Sequence, residues 1–394
     1  MSHPAELADQ TSFDAQLHLR VVFGNGTLNR LGEMAKEHGA GKVLLVTDPG
    51  IRSVGHVDRA QASLTAAELP VVIYDQAKEN PTTECVADCV ELARREGIDF
   101  IVGLGGGSSM DTAKGCNFLL TNGGEMKDYW GVGKASKPML PLIAIPTTAG
   151  TGSECQSFAL ISDAVTHAKM ACGDPKAMAK VAILDPELTL SQPARVTACT
   201  GIDAVAHAVE SAVTRKRNET SQQYSRVAFG LLSQSLPAVL TEPNDLEARG
   251  LMLLGAAFAG TAIEHSMLGA AHSAANPLTA HFDVIHGQAV GLMLPHVVRF
   301  NGEDEVIARA YAELVTGTTA ASINGVPAHE SLASLLEDFM DSAGMPRDLK
   351  DCGVDSTKID LLSEEAAAQW TASFNPRDIT ASDFKGLYSR AFGS

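Results

Sequence analysis

The sequence predicts a two-part fold: an α/β half with a parallel sheet over residues 1–192, then an all-α half over residues 193–394. Three observations carry this. Short apolar runs alternate with helical stretches as far as residue 184, the pattern of parallel strands joined by crossover helices. Gly105-Gly106-Gly107 lies at the end of one such strand and opens a helix. Past Pro193 the β-branched runs almost vanish and Ala-rich helical patterns take over. A chain of 394 residues is also too long for one small core.

Taken in order, residues 1–18 read as a polar lead-in. Residues 19–23 read as a strand ended by the Gly24-Asn25-Gly26 turn. A helix follows over about 28–38, with Gly39 and Gly41 just past its end, where a left-handed cap is wanted. Residues 42–48 form a buried-strand run ending in Thr47 and Asp48. Then come a helix at about 54–67, a strand at 70–74, a helix at about 82–96, a strand at 99–104 and a helix at 108–120. A strand at 142–146, a hairpin of 158–162 with 168–172 about Asp163, and a strand at 181–184 complete the first half. The second half reads as helices at about 194–214, 218–239, 245–264, 266–276, 286–298, 304–314, 328–343, 358–370 and 380–391.

Composition narrows the function classes. With 45% hydrophobic and 20% charged residues the chain reads as an ordinary globular protein. A net charge of −17 and the lack of a basic run argue against nucleic-acid or anionic-membrane binding. The apolar run near 251–263 is too short to span a bilayer and is ended by Glu264 and His265. The N-terminal residues lack the basic and apolar regions of a signal peptide. Seven scattered cysteines form no CxxC pair; Cys85 and Cys89, four apart, read as structural thiols, and reduced cysteines fit a cytoplasmic protein.

Four stretches carry chemistry. In the glycine run, backbone N–H groups at a helix N-terminus suit a phosphate, although the pattern is not G-x-G-x-x-G and a tight turn is the plain alternative. Asp48, at the carboxyl end of an earlier strand, suits ribose hydroxyls and repels a 2′-phosphate, or else belongs to an Asp-Pro-Gly surface turn. Pro146-Thr-Thr-Ala-Gly-Thr-Gly-Ser-Glu154 offers four hydroxyls and two glycines to a polar ligand, as an ordinary loop also would. Asp203 and His207, four apart, share one helix face, and His272 and His286 add two imidazoles. Together these four residues would suit a divalent Fe, Zn or Ni ion; the alternative is ordinary histidines on apolar helices.

Gly105-Gly-Gly-Ser-x-x-Asp111, the 146–154 segment, Gly201-Ile-Asp-Ala-x-x-His207, His272 with His286-Gly fourteen residues on, and Leu294-Pro-His-Val-x-Arg-Phe-Asn301 closely resemble the iron-containing (group III) alcohol dehydrogenases. The resemblance covers nearly the whole chain in order. It implies a dehydroquinate synthase-like architecture: an NAD-binding α/β domain over 1–192 and a metal-binding α-helical domain over 193–394, with the site in the cleft between them. By position it implies Asp203, His207, His272 and His286 as ligands of Fe²⁺, with Zn²⁺ or another divalent ion as alternatives. Gly106, Gly107 and Ser108 match the pyrophosphate loop, and Asp48 the residue at which the family prefers NAD over NADP. Thr147, Thr148, Thr151 and Lys169 match positions lining the nicotinamide and ribose; Asn80, Asp111 and Phe158 join them on the cofactor side.

The chain also departs from the family's pattern. Relatives that oxidise simple alcohols commonly carry a second His four residues after the third ligand, implicated in proton relay; here that residue is Asn276, which cannot act as a base. His265 replaces what is often Asn, and His281 what is often Phe, which suggests a more polar pocket and makes both candidates for the proton path. The expected activity is therefore NAD(H)-linked, metal-dependent interconversion of a small alcohol and its aldehyde, by a homodimer or higher homo-oligomer. A dehydroquinate synthase-like lyase, a hydroxyacid-oxoacid transhydrogenase and a metal hydrolase are the rival readings. The substrate is not fixed by these residues.

Overall fold

The computed structural model describes residues 12–16, 19–166, 168–316, 318 and 325–393. Two compact units separate: one holds residues up to 148 and 152–192, the other residues 149–151 and those from 193 onward.

The first unit is built on a sheet of seven strands among the described residues: β1 (Ser12–Gln16), β2 (Arg20–Gly24), β3 (Val43–Val46), β4 (Val71–Tyr74), β5 (Phe100–Gly105), β7 (Leu142–Pro146) and β10 (Val181–Leu184). They lie in the order β1-β2-β10-β7-β5-β3-β4. Every pairing is parallel except that of β1 with β2. The polar lead-in expected over 1–18 lies outside the described residues apart from 12–16, which form β1 instead. Pairing with β2, from Ser12 opposite Gly24 to Gln16 opposite Arg20, makes that segment a strand, and composition does not reveal pairing. A smaller sheet, β6 (Gly131–Val132), β9 (Lys169–Gly173) and β8 (Phe158–Ser162), contains the expected hairpin. Asp163 closes its turn by accepting from the N–H groups of Val165 and Thr166 at 3.0 and 2.7 Å.

Alternate residues of the central strands divide between two cores, the period-two signature of strands covered on both faces. Leu44, Val46, Ile101, Leu142 and Ala144 pack against α4 (Thr83–Glu96) and α5 (Gly107–Asn122). Val43, Leu45, Phe100, Val102, Leu104, Ile143 and Ile145 pack against α1 (Leu31–Glu37) and α3 (His56–Ala66). The helix expected over 54–67 is α3, and a short helix not expected from the sequence precedes it: α2 (Pro49–Ser53), started by the Asp48 cap and Pro49 and parted from α3 by Gly55 at φ 84°. Because β4 lies on one side of β3 and β5 on the other, the winding reverses between β3 and β5. Crevices beyond the carboxyl ends of strands at such reversals are where open α/β sheets bind ligands.

One buried polar cluster ties α5 to the following loops. Lys114 is fully buried, and its Nζ donates to Ser153 O, Ser153 Oγ and Phe158 O at 2.6, 2.9 and 3.0 Å, using all three of its donors. Ser153 Oγ in turn donates to Asp111 Oδ1 at 3.1 Å. Burial pushes the Asp111 carboxyl up to about 6, against the pull of Lys114, and pushes Glu154 up to about 7.

The second unit contains α6 (Ala194–Ser211), α7 (Glu219–Thr241), α8 (Leu246–Ser266), α9 (Ala270–Phe282), α10 (His286–Gly302), α11 (Glu305–Leu314), α12 (Ala328–Ser342), α13 (Ile359–Ala368) and α14 (Ala381–Ala391). The apolar run judged too short to span a membrane lies within α8, whose 21 residues are long and apolar enough by composition alone. Most of α8 is instead buried, packed on α6 and α7, which is why its outer face needs no polar residues.

Asp111 and Glu154 are raised above their unfolded values, so the stability they add is full below about pH 4. It is lost as pH rises through their folded values of about 6 and 7. Urea unfolding at pH 5, 6.5 and 8 should therefore show stability falling with pH. Glu154→Gln should flatten part of that fall and gain up to about 3 kcal/mol at pH 8. Parallel curves for the two proteins would remove Glu154 from this account.

Candidate metal centre and glycine loop

In the helical unit, α6 carries Asp203, His207 and Glu210 at positions i, i+4 and i+7, one face of a helix, and all three are buried. His272 lies in the first turn of α9, and His286 is the first residue of α10. Asp203, His207 and His272 bring one donor atom each within 4.8 Å of one another, and His286 adjoins them through Asp203. Asp203 Oδ1 lies 3.4 Å from His207 Nε2, 3.4 Å from His272 Nε2 and 3.8 Å from His286 Nε2. The His207 and His272 rings stack at 5.0 Å and 20°.

This donor set fits a divalent cation. Asp203 Oδ1 and His272 Nε2 are buried and make no hydrogen bond, a costly arrangement that a cation relieves. Two ligand atoms each about 2.1 Å from a tetrahedral ion stand about 3.4 Å apart. Burial lowers the His207 pKa, keeping a neutral imidazole as a metal ligand requires. At Asp203 burial opposes ionisation, but His207, His272 and His286 outweigh it and hold the carboxyl well below the usual range. Burial alone would lower His272; Glu210 and Asp203 instead raise it to about 9, so its Nε2 sits where positive charge is favoured.

The three residues considered for proton transfer are placed differently. His265 lies in the last turn of α8, half-buried, and its carbonyl accepts from Asn218 Nδ2 at 2.8 Å. Asn276 follows His272 by one turn of α9, and its Nδ2 donates to Gln369 Oε1 at 3.1 Å. His281 comes nine residues after His272, half a turn round the helix, and forms an exposed pair with Glu365 Oε2 at 2.7 Å.

In the α/β unit, β5 ends in Gly105 at φ 147°, where a Cβ would lie 2.5 Å from Ser109 Oγ; only glycine permits this turn. Gly106 caps α5, and Gly107 and Ser108 form its first turn. Asp48 both caps α2 through Ile51 N (3.0 Å) and accepts from Ser109 Oγ (3.1 Å), joining the end of β3 to the glycine loop. Thr147 N donates to Gly105 O, and its buried Oγ1 makes no hydrogen bond. Thr148 lies beside Gly106, and half-buried Thr151 belongs to the 149–151 segment that groups with the helices. Lys169 Nζ donates to Asn80 Oδ1 at 3.3 Å on the surface. Asp111 and the carbonyl of Phe158 are held in the Lys114 cluster.

Two residues of consequence were not singled out by sequence reasoning. Glu210 Oε2 lies 2.5 Å from His272 Nδ1, and its only advance signal was the i, i+4, i+7 spacing after Asp203. Lys114 gave no signal beyond being a cation in an otherwise weakly polar helix.

Residues 19–186 match the family described as iron-containing alcohol dehydrogenase, and residues 197–392 its C-terminal region. The chain is 33% identical over 370 residues to an NAD-dependent methanol dehydrogenase of Bacillus methanolicus, covering 94% of this chain and 97% of that one. It is 36% identical over 372 residues to alcohol dehydrogenase 4 of Schizosaccharomyces pombe, covering 94% and 87%. Its fold superposes on the crystal structure of a 1,3-propanediol oxidoreductase with a TM-score of 0.91 at 30% identity, over 97% and 99% of the two chains.

Stripping the protein with a chelator should lower its melting temperature by about 5 °C or more, and Fe²⁺ or Zn²⁺ should restore it. Asp203→Asn should blunt that recovery. Elemental analysis without a bound transition metal, together with no thermal response to added ions, would rule the centre out.

Proposed function

The chain belongs to the iron-containing alcohol dehydrogenase family, and on that premise we propose that it interconverts a small primary alcohol and its aldehyde with NAD(H). The observation that carries the reading is the convergence of Asp203, His207, His272 and His286, two of whose buried atoms, Asp203 Oδ1 and His272 Nε2, lack hydrogen-bond partners. In this reading residues 1–192 bind the dinucleotide and residues 193–394 the metal. Fe²⁺ is the proposed ion, and Zn²⁺ suits the same donors. The ion's contribution is Lewis acidity, which lowers the pKa of an alcohol and polarises an aldehyde; NAD's is to take up and return hydride.

The chain's own groups do the rest. Backbone N–H groups of Gly106, Gly107 and Ser108 at the start of α5 hold the pyrophosphate. Asp48 accepts from ribose hydroxyls and repels a 2′-phosphate. Thr147, Thr148, Thr151, Asn80 and Lys169 supply polar contacts to the ribose and nicotinamide, with Phe158 and Asp111 behind them. Asn276 orients but cannot exchange a proton, so the proton leaves through ribose hydroxyls, water or His265. The exposed hydrogen bond of His281 with Glu365 argues against its taking part. The seven free cysteines support a cytoplasmic, reducing setting. The working form is proposed to be a homodimer or higher homo-oligomer.

Three measurements test this. Short-chain aldehydes should drive NADH oxidation that depends on added Fe²⁺ or Zn²⁺; none doing so would sink the proposal. Asp48→Asn, which keeps the α2 cap while removing the charge, should narrow the preference for NADH over NADPH by roughly tenfold. In pH–rate profiles His281→Ala should overlay the parent, whereas His265→Ala should shift a limb if it relays the proton.

A further inference from the structure

We infer that Glu210 is a positioning residue for the metal ligand His272, fixed by the Ala271 N–H and closely bordered by Gly269. The inference rests on the metal reading above. Glu210 is 4% exposed, and each carboxylate oxygen has one task. Oε2 takes the His272 Nδ1–H at 2.5 Å, and Oε1 takes the Ala271 N–H at 2.7 Å. Ala271 is in the first turn of α9, where backbone N–H groups lack helical partners and a negative charge is favoured. The carboxylate thus grips the ring and the backbone of neighbouring residues at once, leaving the ring one orientation. With a metal bound, this pairing would keep the hydrogen on Nδ1 and leave Nε2, 3.4 Å from Asp203 Oδ1, as the ligand atom. A metal-binding imidazole needs its donor atom held in this way.

Glu210 is also bordered by Gly269, which a buried amide pair adjoins. A Cβ on Gly269 would lie 3.1 Å from Glu210 Oε1 and 3.4 Å from Asn375 Oδ1, so an added methyl group would press Oε1 away from its present place. Asn375 Nδ2 donates to Asn301 Oδ1 at 2.9 Å, and Asn301 Nδ2 returns a bond to Asn375 Oδ1 at 3.1 Å. Asn375 Nδ2 also reaches the carbonyl of Arg377 at 3.0 Å, and both asparagines are 1% exposed. Asn301 ends the 294–301 motif, and this pairing gives it a task in the helical unit.

Two variants test the inference: Glu210→Gln, which cannot accept from both N–H groups, and Gly269→Ala, which keeps every charge but crowds Oε1. Co²⁺ is the probe, its affinity measured by chelator competition and its environment by visible absorption, with the melting temperature of metal-free protein recorded for each. Glu210→Gln should weaken Co²⁺ binding by about 10- to 100-fold and alter the spectrum. Gly269→Ala should weaken it several-fold. A metal-free protein that melts lower but binds Co²⁺ within twofold of the parent would mean a structural role only, and would overturn the inference. If Glu210→Gln does not fold, Gly269→Ala decides by the same criterion. A parent protein that binds no Co²⁺ overturns the metal reading itself.

Discussion

The helical unit is organised around a buried carboxylate. Asp203 sits in an Ala-rich helix, covered on all sides, and an isolated charge there would cost several kcal/mol. Three imidazoles and the space for a cation are its compensation. The requirement spreads outward: His272 needs a partner for its second nitrogen, that partner is another buried carboxylate, and Glu210 in turn needs the first-turn N–H of α9. A network of this kind is favourable only when every member is satisfied. It explains how Ala-rich helices tolerate the buried Asp203, Glu210, His207 and His272.

The α/β unit meets a different demand, that of presenting backbone N–H groups. There the work falls on chain geometry: Gly105 turns where no side chain fits, Asp48 links the end of β3 to the first turn of α5, and Lys114 pins the segment that follows β7. Charge is used sparingly and is mostly neutralised on the spot. The reversal of winding between β3 and β5 puts these devices at neighbouring strand ends, so two distant stretches of sequence meet.

Most of this was legible from sequence because it is local. Helices and strands followed from periodicity, and Asp203 with His207 from a spacing of four on one helix. The glycine turn followed from composition. What escaped depends on distant partners. Asp48 was read as a ligand contact or part of a surface turn; that it caps α2 and bonds Ser109, 61 residues away, was not legible. Glu210 shares a face with Asp203, but its meaning comes from His272, 62 residues on. The short helix α2 was missed because it depends on the Asp48 cap rather than on any apolar period. The short strand β1 owes its form to β2 alone.

Lys114 shows what such commitment implies for sequence change. Its three hydrogens end on a carbonyl, a hydroxyl and a second carbonyl, all from one short segment. Arginine is too long and too planar to repeat that tripod, and an apolar side chain would strand three acceptors away from water. Position 114 is therefore closed to drift by single substitutions. A lineage could vacate it only by rebuilding the loop from 153 to 158 in the same step.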